Sequence, residues 1–511
     1  MSYEHFGGTK KILSFVAEDW KLLLFLTILF ALYFYYTSTF DFFEKKGVPY
    51  LKPTIFLGTL WPRLTGKKSF HDFQLDIYKH FQGQPYGGTF EGRRPSLYVF
   101  NPDLIKAVTI RDFDHFVDRN SLNLKEPRYL RRSLLVLKGT EWKAVRSTLT
   151  PTFNSLRLKK MLPLMEHSAQ KMVEFLKQYD KKDVEMKDTM GHLTLEVIGA
   201  CAFGIKCDAL DDENAHFVKV AEKFNYMTKS KKFLIFFVLI FMPKMFQYLN
   251  ISLIHRETCE ELMGMLKAAK AERRQSGVRR NDFLQLLLDA YEEDKKSGNM
   301  KCLDDDTIDA QALLFLLAGY ETSATLLSFA IYTLATHPEL QDNLRANIQE
   351  ETEGKELSYD LLMQLPMLEG FLLETLRIYP PLGRLDRLCV KEYTLPGTNV
   401  MVDVGDVVCI NVIGIHMDPN YYPEPEKFKP ERFMYDEKKN RPSHLFLPFG
   451  VGPRNCIGLR FAMLSAKTAM VALVKNFKFS TCEKTEKPVK FCTSGMLLKA
   501  ENGLWVRVEA L

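Results

Sequence analysis

The chain has 511 residues, 46% hydrophobic and 26% charged, enough to bury a sizeable core with no composition break after the N-terminus. A net charge of +6, from 69 basic and 63 acidic side chains, is too small and too dispersed for nucleic acid but suits an anionic membrane surface and an acidic protein partner. Nine cysteines, at 201, 207, 259, 302, 389, 409, 456, 482 and 492, include no C-x-x-C pair, which argues against a disulfide scaffold or a structural zinc site and for a reducing compartment.

The first element is an apolar run from Leu22 to Phe40, nineteen residues without a charge between Lys21 and Asp41. At about 1.5 Å per residue it reaches across a bilayer core of about 30 Å. Its length, its aromatic content and the lack of a small-residue cleavage site favour a retained anchor over a cleaved signal peptide. Lys10, Lys11 and Lys21 on one side balance Lys45, Lys46 and Lys52 on the other, so the positive-inside count leaves the orientation open. Next, Trp142-Lys-Ala-Val-Arg146 sets an indole and a guanidinium at i and i+4 on one helix face, by itself the pattern of a core tryptophan beside a solvated arginine. Phe233 to Met242, ten apolar residues between lysines, is too short to span a membrane and reads as core or as an interfacial segment.

Asp304-Asp305-Asp306 carry charges suited to a helix N-terminus, and the helical pattern behind them ends near Thr336, before His337-Pro338. About thirty residues make a helix of roughly 45 Å, long enough to cross a domain. Within it, Ala318-Gly319-Tyr320-Glu321-Thr322-Ser323 contains a glycine that weakens the helix by about 1 kcal/mol relative to alanine, and a threonine able to bond a carbonyl one turn back. Alone this describes a slightly irregular core helix. Glu374-Thr-Leu-Arg377 places opposite charges three residues apart, in isolation an ordinary helix pair worth a few tenths of a kcal/mol. Pro430-Glu-Arg432-Phe433 follows a proline-rich turn from His416 to Pro425.

Phe449-Gly450-Val-Gly452-Pro-Arg454-Asn-Cys456-Ile-Gly458 then holds one cysteine in a glycine-rich loop. Only the thiolate is a good metal ligand, and a free cysteine at neutral pH is mostly protonated, so something must favour the anion. The glycines permit turns that aim amide N–H groups at the sulfur. The helical period of the run from Gly458 to Met470 puts Cys456 near a helix N-terminus and its partial positive charge. Arg454 adds a fixed cation that suits a carboxylate such as a haem propionate. A lone cysteine is more often a small buried hydrophobe. The full spacing F-x-x-G-x-R-x-C-x-G reverses those odds and points to a thiolate under a haem iron.

With every fixed position of that spacing present, the chain resembles the cytochrome P-450 family of haem-thiolate monooxygenases. The resemblance implies a mainly α fold, a helical haem domain with small β-sheets, over residues 47–511, behind a transmembrane helix and its flanks at 1–46. The cofactor would be haem b, with Cys456 as axial and metal-binding ligand. Trp142, Arg146 and Arg454, with Arg119 and the Arg387 of Arg384-Leu-Asp-Arg387, would meet its propionates, and Phe449, Gly450 and Ala318 would border it. Ala318 and Gly319 would leave space for dioxygen, Thr322 and Glu321 would support water-mediated proton delivery, and Phe315, Ala318, Pro381, Leu382 and Met496 would line the substrate pocket. Glu374, Arg377 and Arg432 would form a buried structural network.

The Arg384-Leu-Asp-Arg387, Tyr393-Thr-Leu-Pro-Gly397 and Ala318 to Ser323 stretches look most like the clan of vertebrate drug-metabolising and insect detoxifying enzymes. The implied reaction is R–H + O2 + NADPH + H+ giving R–OH + H2O + NADP+, on lipophilic small molecules: xenobiotics, insecticides, plant toxins, or steroids and other endogenous lipids. The microsomal branch implies an endoplasmic reticulum membrane, a lumenal N-terminus and a cytosolic catalytic domain. Gly47-Val-Pro-Tyr-Leu-Lys-Pro53 would then be a proline-stiffened hinge, and Phe233 to Met242 a roof over the pocket that dips into the bilayer. No G-x-G-x-x-G lies between a strand and a helix, so electrons must come from elsewhere. The resemblance implies an acidic NADPH-cytochrome P-450 reductase docking on Arg131, Arg132, Lys143, Arg460 and Lys467, with cytochrome b5 as a further donor. Two rival expectations stand beside it. One is a haem-thiolate isomerase or dehydratase acting on peroxides without a reductase, against which Thr322 counts, and the other a non-catalytic haem sensor.

Overall fold

The computed structural model describes residues 6–120, 128–205, 207–212, 215–224, 255–296, 304–439 and 441–511, together with residues 234, 235, 238 and 248. The roof segment expected at Phe233 to Met242 falls outside the described residues apart from three positions.

Helix α1 (Phe6–Thr37) carries the apolar run, and its stretch from Trp20 to Tyr35 is exposed throughout, as a bilayer-facing surface must be. The junction after it differs from the expected division at residue 46. Tyr36 is buried against the ring of Phe56 at 4.9 Å, and Phe43, 1% exposed, packs on Phe90 at 5.2 Å. Lys46 Nζ reaches Asp403 at 2.7 Å and Asp406 at 3.0 Å. The segment expected as a hinge is sewn to the fold: Gly88 N donates to Pro49 O at 2.7 Å and Leu51 N to Gly88 O at 2.9 Å. Residues 36–46 therefore belong to the globular unit, because their aromatic rings find apolar partners there that charge-free counting along the chain cannot reveal.

The helical body is built from α2 (Gly139–Leu149), α3 (Ser155–Lys177), α4 (Met186–Ile198), α5 (Arg256–Ser276), α6 (Phe283–Lys296), α7 (Asp305–Thr336), α8 (Pro338–Thr352), α9 (Pro366–Ile378) and α10 (Leu459–Asn476). Local chemistry sets their ends. Asn154 caps α3 by accepting from Arg157 N at 2.9 Å, and Asp304 caps α7 by accepting from Thr307 N at 2.8 Å. α8 and α9 open on Pro338 and Pro366, where a missing N–H costs nothing. α7 is apolar on most of its circumference and is the central helix of the main core, packed chiefly on α4.

Three small sheets complete the fold. β1 (Tyr86–Glu91), β2 (Arg94–Val99), β4 (Arg384–Leu388) and β7 (Val407–Asn411) form one in the order β1-β2-β7-β4, with β2 and β7 parallel and the other pairs antiparallel. All five residues of β7 are buried, which fits its near-continuous apolar sequence and central place. β3 (Lys182–Glu185), β8 (Phe477–Ser480) and β9 (Trp505–Ala510) make a second sheet in the order β3-β9-β8, and β5 (Tyr393–Thr394) with β6 (Met401–Val402) a third. Nearly all the structure after the anchor is thus one helical unit with small sheets, as the sequence implied.

Candidate active site around Cys456

The loop that carries Cys456 is fixed by its own backbone. Gly450 N donates to Leu447 O at 2.8 Å, Cys456 N to Phe449 O at 2.7 Å and Asn455 N to Gly452 O at 3.1 Å. Gly452 has φ +74°, and a Cβ there would sit 1.8 Å from Thr109 O, so no other residue fits. Gly458 stands at the N-cap of α10. From α2, Arg146 reaches in and donates to Asn455 O at 2.9 Å and Asn455 Oδ1 at 2.8 Å.

Cys456 is exposed into a cavity of about 310 Å³ with a predominantly apolar wall. Surrounding protein raises its thiol pKa by desolvation, while the Gly458 N–H, Arg146 and Arg119 act in the opposite direction. Four guanidinium groups, of Arg119, Arg146, Arg387 and Arg454, border the same cavity together with Trp142. Burial lowers the pKa of all four, to about 9 for Arg454, where Arg119 and Arg387 add repulsion, and to about 10 for Arg387, where Arg119 does so. The Nε of Arg387 is buried without a hydrogen-bond partner. Such a cluster of desolvated cations calls for anionic groups between them.

Arg454 has a second task that the sequence did not reveal. Its guanidinium stacks on Trp142 at 4.1 Å and donates to Val117 O at 2.9 Å, Leu134 O at 3.2 Å and Leu137 O at 2.7 Å. Three of its five N–H groups are thereby spent as a clamp between the cysteine loop and the chain before α2.

α7 supplies another wall. Phe315, Ala318, Gly319, Thr322 and Ser323 line the cavity at helical spacing. Gly319 packs closely on α4, where a Cβ would lie 2.7 Å from the end of the Ile198 side chain and push it aside. The Thr322 hydroxyl donates to Ala318 O at 2.6 Å, leaving its lone pairs free to accept.

A family model described as "Cytochrome P450" matches residues 48–507. The chain belongs to the cytochrome P450 family. It is 35% identical to "Cytochrome P450 9e2" of Blattella germanica, with 96% of this chain and 97% of that one covered. It is 36% identical to "Cytochrome P450 3A9" of Rattus norvegicus, with 97% of each covered, and 35% identical to "Probable cytochrome P450 6a13" of Drosophila melanogaster, with 96% and 99% covered. As a P450 it is a haem-iron monooxygenase of the clan that holds these insect and mammalian enzymes. The residues present fit a haem: a thiol facing an apolar cavity, four arginines on its border of which Arg387 and Arg454 are buried, and an unpartnered Arg387 Nε.

The structure of this P450 brings together Cys456, Phe449, Gly450, Arg454, Trp142, Arg146, Arg119, Arg387, Phe315, Ala318, Thr322, Pro381 and Leu382 around one cavity. Three expectations need correction. Glu321 does not face the cavity; one residue away from Thr322 turns it about 100° around α7, where Lys187 of α4 holds its carboxylate at 3.0 Å. Met496 is 49% exposed and borders a separate shallow hollow with Phe70 and Ile413, because its turn lies beyond the wall formed by Pro381 and Leu382. Lys467, expected on a basic docking face, is 1% exposed and reaches inward to Glu369 at 3.0 Å. Arg131, Lys143 and Arg460 are exposed, while Arg132 is paired with Asp304.

Glu374, Arg377 and Arg432 do meet in the core. Arg377 donates to the Glu374 carboxylate at 2.7 and 2.8 Å and Arg432 at 3.2 Å. Further lining residues went unread in the sequence. Leu314 and Leu326 follow from Ala318 by helical spacing, whereas Leu134, Phe153, Cys201 and Phe283 come from distant elements and carry no local signal.

Proposed function

We propose that this P450 binds haem b through Cys456 and uses NADPH-derived electrons and dioxygen to hydroxylate or epoxidise neutral lipophilic molecules. The observation that carries the proposal is that Cys456 and the Ala318–Thr322 stripe of α7 line the same predominantly apolar cavity. When bound, the haem iron supplies the dioxygen chemistry, with a thiolate pushing electron density toward the metal. The chain's own contributions follow from geometry. Gly458 N–H, Arg146 and Arg119 favour the anion at Cys456 Sγ. Arg387 and Arg146, with the spare N–H groups of Arg454, would hold the two propionates, and Trp142 covers the Arg454 face. Ala318 and Gly319 leave room where dioxygen would sit. Thr322 Oγ1, whose hydroxyl donates to Ala318 O, would accept from a water and so hold that water's second proton toward the cavity. Leu134, Phe315, Pro381 and Leu382 give a substrate apolar contacts with few polar groups to fix one orientation, which suits varied lipophilic compounds such as xenobiotics.

Electrons come from an acidic NADPH-cytochrome P450 reductase, for which exposed Lys143 and Arg460 offer partners, with cytochrome b5 as a further donor. The exposed α1 anchors the protein in the endoplasmic reticulum membrane, from which lipophilic substrates partition. The test is to purify the full chain, record its reduced carbon monoxide spectrum, and follow NADPH use and product with reductase and a panel of steroids, terpenoids, plant toxins and insecticides. A thiolate-type spectrum with NADPH-dependent product is expected, and Cys456→His should abolish both while leaving most of the fold. Retained hydroxylation in Cys456→His, or turnover of fatty-acid hydroperoxides alone, would overturn the reading.

A further inference from the structure

Gln311 is a fully buried polar residue on α7 that none of the above uses. Positions 311, 315, 318 and 322 succeed one another at steps of four, three and four, so Gln311 begins the stripe that continues as the cavity wall. Its side-chain amide bonds only to backbone of another segment. Oε1 accepts from Leu134 N at 2.8 Å and Nε2 donates to Arg132 O at 2.6 Å. Exchanging the amide's oxygen and nitrogen would set donor against donor, so this network fixes the orientation.

Two bonds to backbone groups two residues apart hold residues 132–134 as a neighbouring strand would. That position has consequences because Leu134 and Leu135 line the cavity. Arg454 grips the same stretch from the other side through Leu134 O and Leu137 O. The Arg132–Asp304 ion pair outside it is exposed, a kind that contributes little. Gln311 is therefore the buried link between α7 and a wall of the substrate space.

We propose that Gln311 is a positioning residue for substrate selectivity, setting through Arg132 O and Leu134 N how far the Leu134–Leu135 wall stands from a bound substrate. The inference rests on the reading of Cys456 as haem ligand and is tested apart from it. The probes are 1-methylimidazole and 1-decylimidazole, whose free ring nitrogen ligates the iron while only the long tail reaches the wall, titrated spectrally on the full membrane protein.

Gln311→Ala leaves a void that water can enter to satisfy both backbone groups, which preserves the fold. Gln311→Glu, neutral when buried, offers the same acceptor and donor. The ratio of the two dissociation constants should change by about tenfold in Gln311→Ala, equivalent to about 1.4 kcal/mol. It should return to the wild-type value in Gln311→Glu, with the 1-methylimidazole affinity and the thiolate-type carbon monoxide spectrum unchanged in both. An unchanged ratio in Gln311→Ala sinks the proposal, as does a loss of affinity shared equally by the short and long probes, which would place the effect at the haem. Absence of the thiolate spectrum in the wild type would instead overturn the parent reading.

Discussion

Replacing Arg377 by alanine tests how the fold holds its cysteine loop. Arg377 is fully buried, and it gives two charge-assisted bonds to Glu374, at 2.7 and 2.8 Å, and one each to His416 O and Pro425 O, both at 2.7 Å. Truncation leaves the Glu374 carboxylate, itself 0% exposed, with only Lys429 N at 2.9 Å and Arg432 Nε at 3.2 Å. Removing one partner of a buried ion pair costs about 3 to 5 kcal/mol, out of a typical total of roughly 5 to 15, and the remaining Arg432 offsets part of it. The damage also has a route to the site. His416 is bound to Arg377 through its own carbonyl and through Nδ1, and its Nε2 accepts from Leu447 N at 3.0 Å, at the start of the loop that carries Cys456. Arg377→Ala should therefore lower the urea midpoint sharply and deprive the protein of haem, read as the ratio of carbon monoxide-binding haem to protein. Arg377→Lys should fall between, since a point charge cannot bridge Glu374 and two carbonyls at once. A fully haem-loaded Arg377→Ala protein with an unchanged midpoint would refute the reasoning.

Gly452→Ala should give a folded chain with little haem, because the new Cβ would collide with Thr109 O and displace the loop without touching the main core; normal haem content would contradict the geometry. Burial, with Arg377 and Arg441 nearby, lowers His416 from 6.5 to about 3. The folded form stays neutral while the unfolded chain takes up a proton below about 6.5, so the contribution is intact above that pH and declines by up to about 1.4 kcal/mol per unit as the pH falls toward 3. The urea midpoint of wild type should consequently drop more steeply between about pH 6.5 and 5 than that of His416→Gln, and parallel slopes would disprove the assignment. Thr322→Ala should cut product formation by about a hundredfold, the low end for a positioned proton-transfer group, while NADPH use continues. Glu321→Gln should leave product per NADPH unchanged and instead reduce stability by up to roughly 3 kcal/mol, because buried Lys187 loses its charged partner and keeps only Glu321 O and Thr325 Oγ1. Equal loss of coupling in both variants would restore Glu321 to the proton path.

The features legible in the sequence are those whose chemistry lies at fixed short spacings. The cysteine loop, the acidic cap and proline stop of α7, and the Glu374–Arg377 pair depend on backbone turns, helix ends and side chains within a few residues of one another. What escaped depends on meetings across the fold. Lys467 looks like one more surface cation until Glu369 and the Leu362 carbonyl are seen to receive it. Glu321 sits in a motif that faces the cavity, yet a single residue step on a helix is enough to aim it at Lys187. Phe153 and Phe283 meet Phe315 edge-on, with ring centroids 5.7 and 4.2 Å away, to build one side of the cavity, and neither contact is visible along the chain. Gln311 reads as a polar interruption in an apolar helix, and only the backbone opposite it gives that interruption a purpose.

The seam between α1 and the globular unit bears on how the protein can be handled outside a membrane. Trimming the chain at residue 46 to obtain a detergent-free enzyme would remove Tyr36 and Phe43, uncover Phe56 and Phe90, and strand Asp403 and Asp406 without their lysine. A shortened version that begins near Tyr35 would keep those rings as plugs and discard only the lipid-facing turns, so the useful cut lies about a dozen residues earlier than the end of the charge-bearing flank suggests.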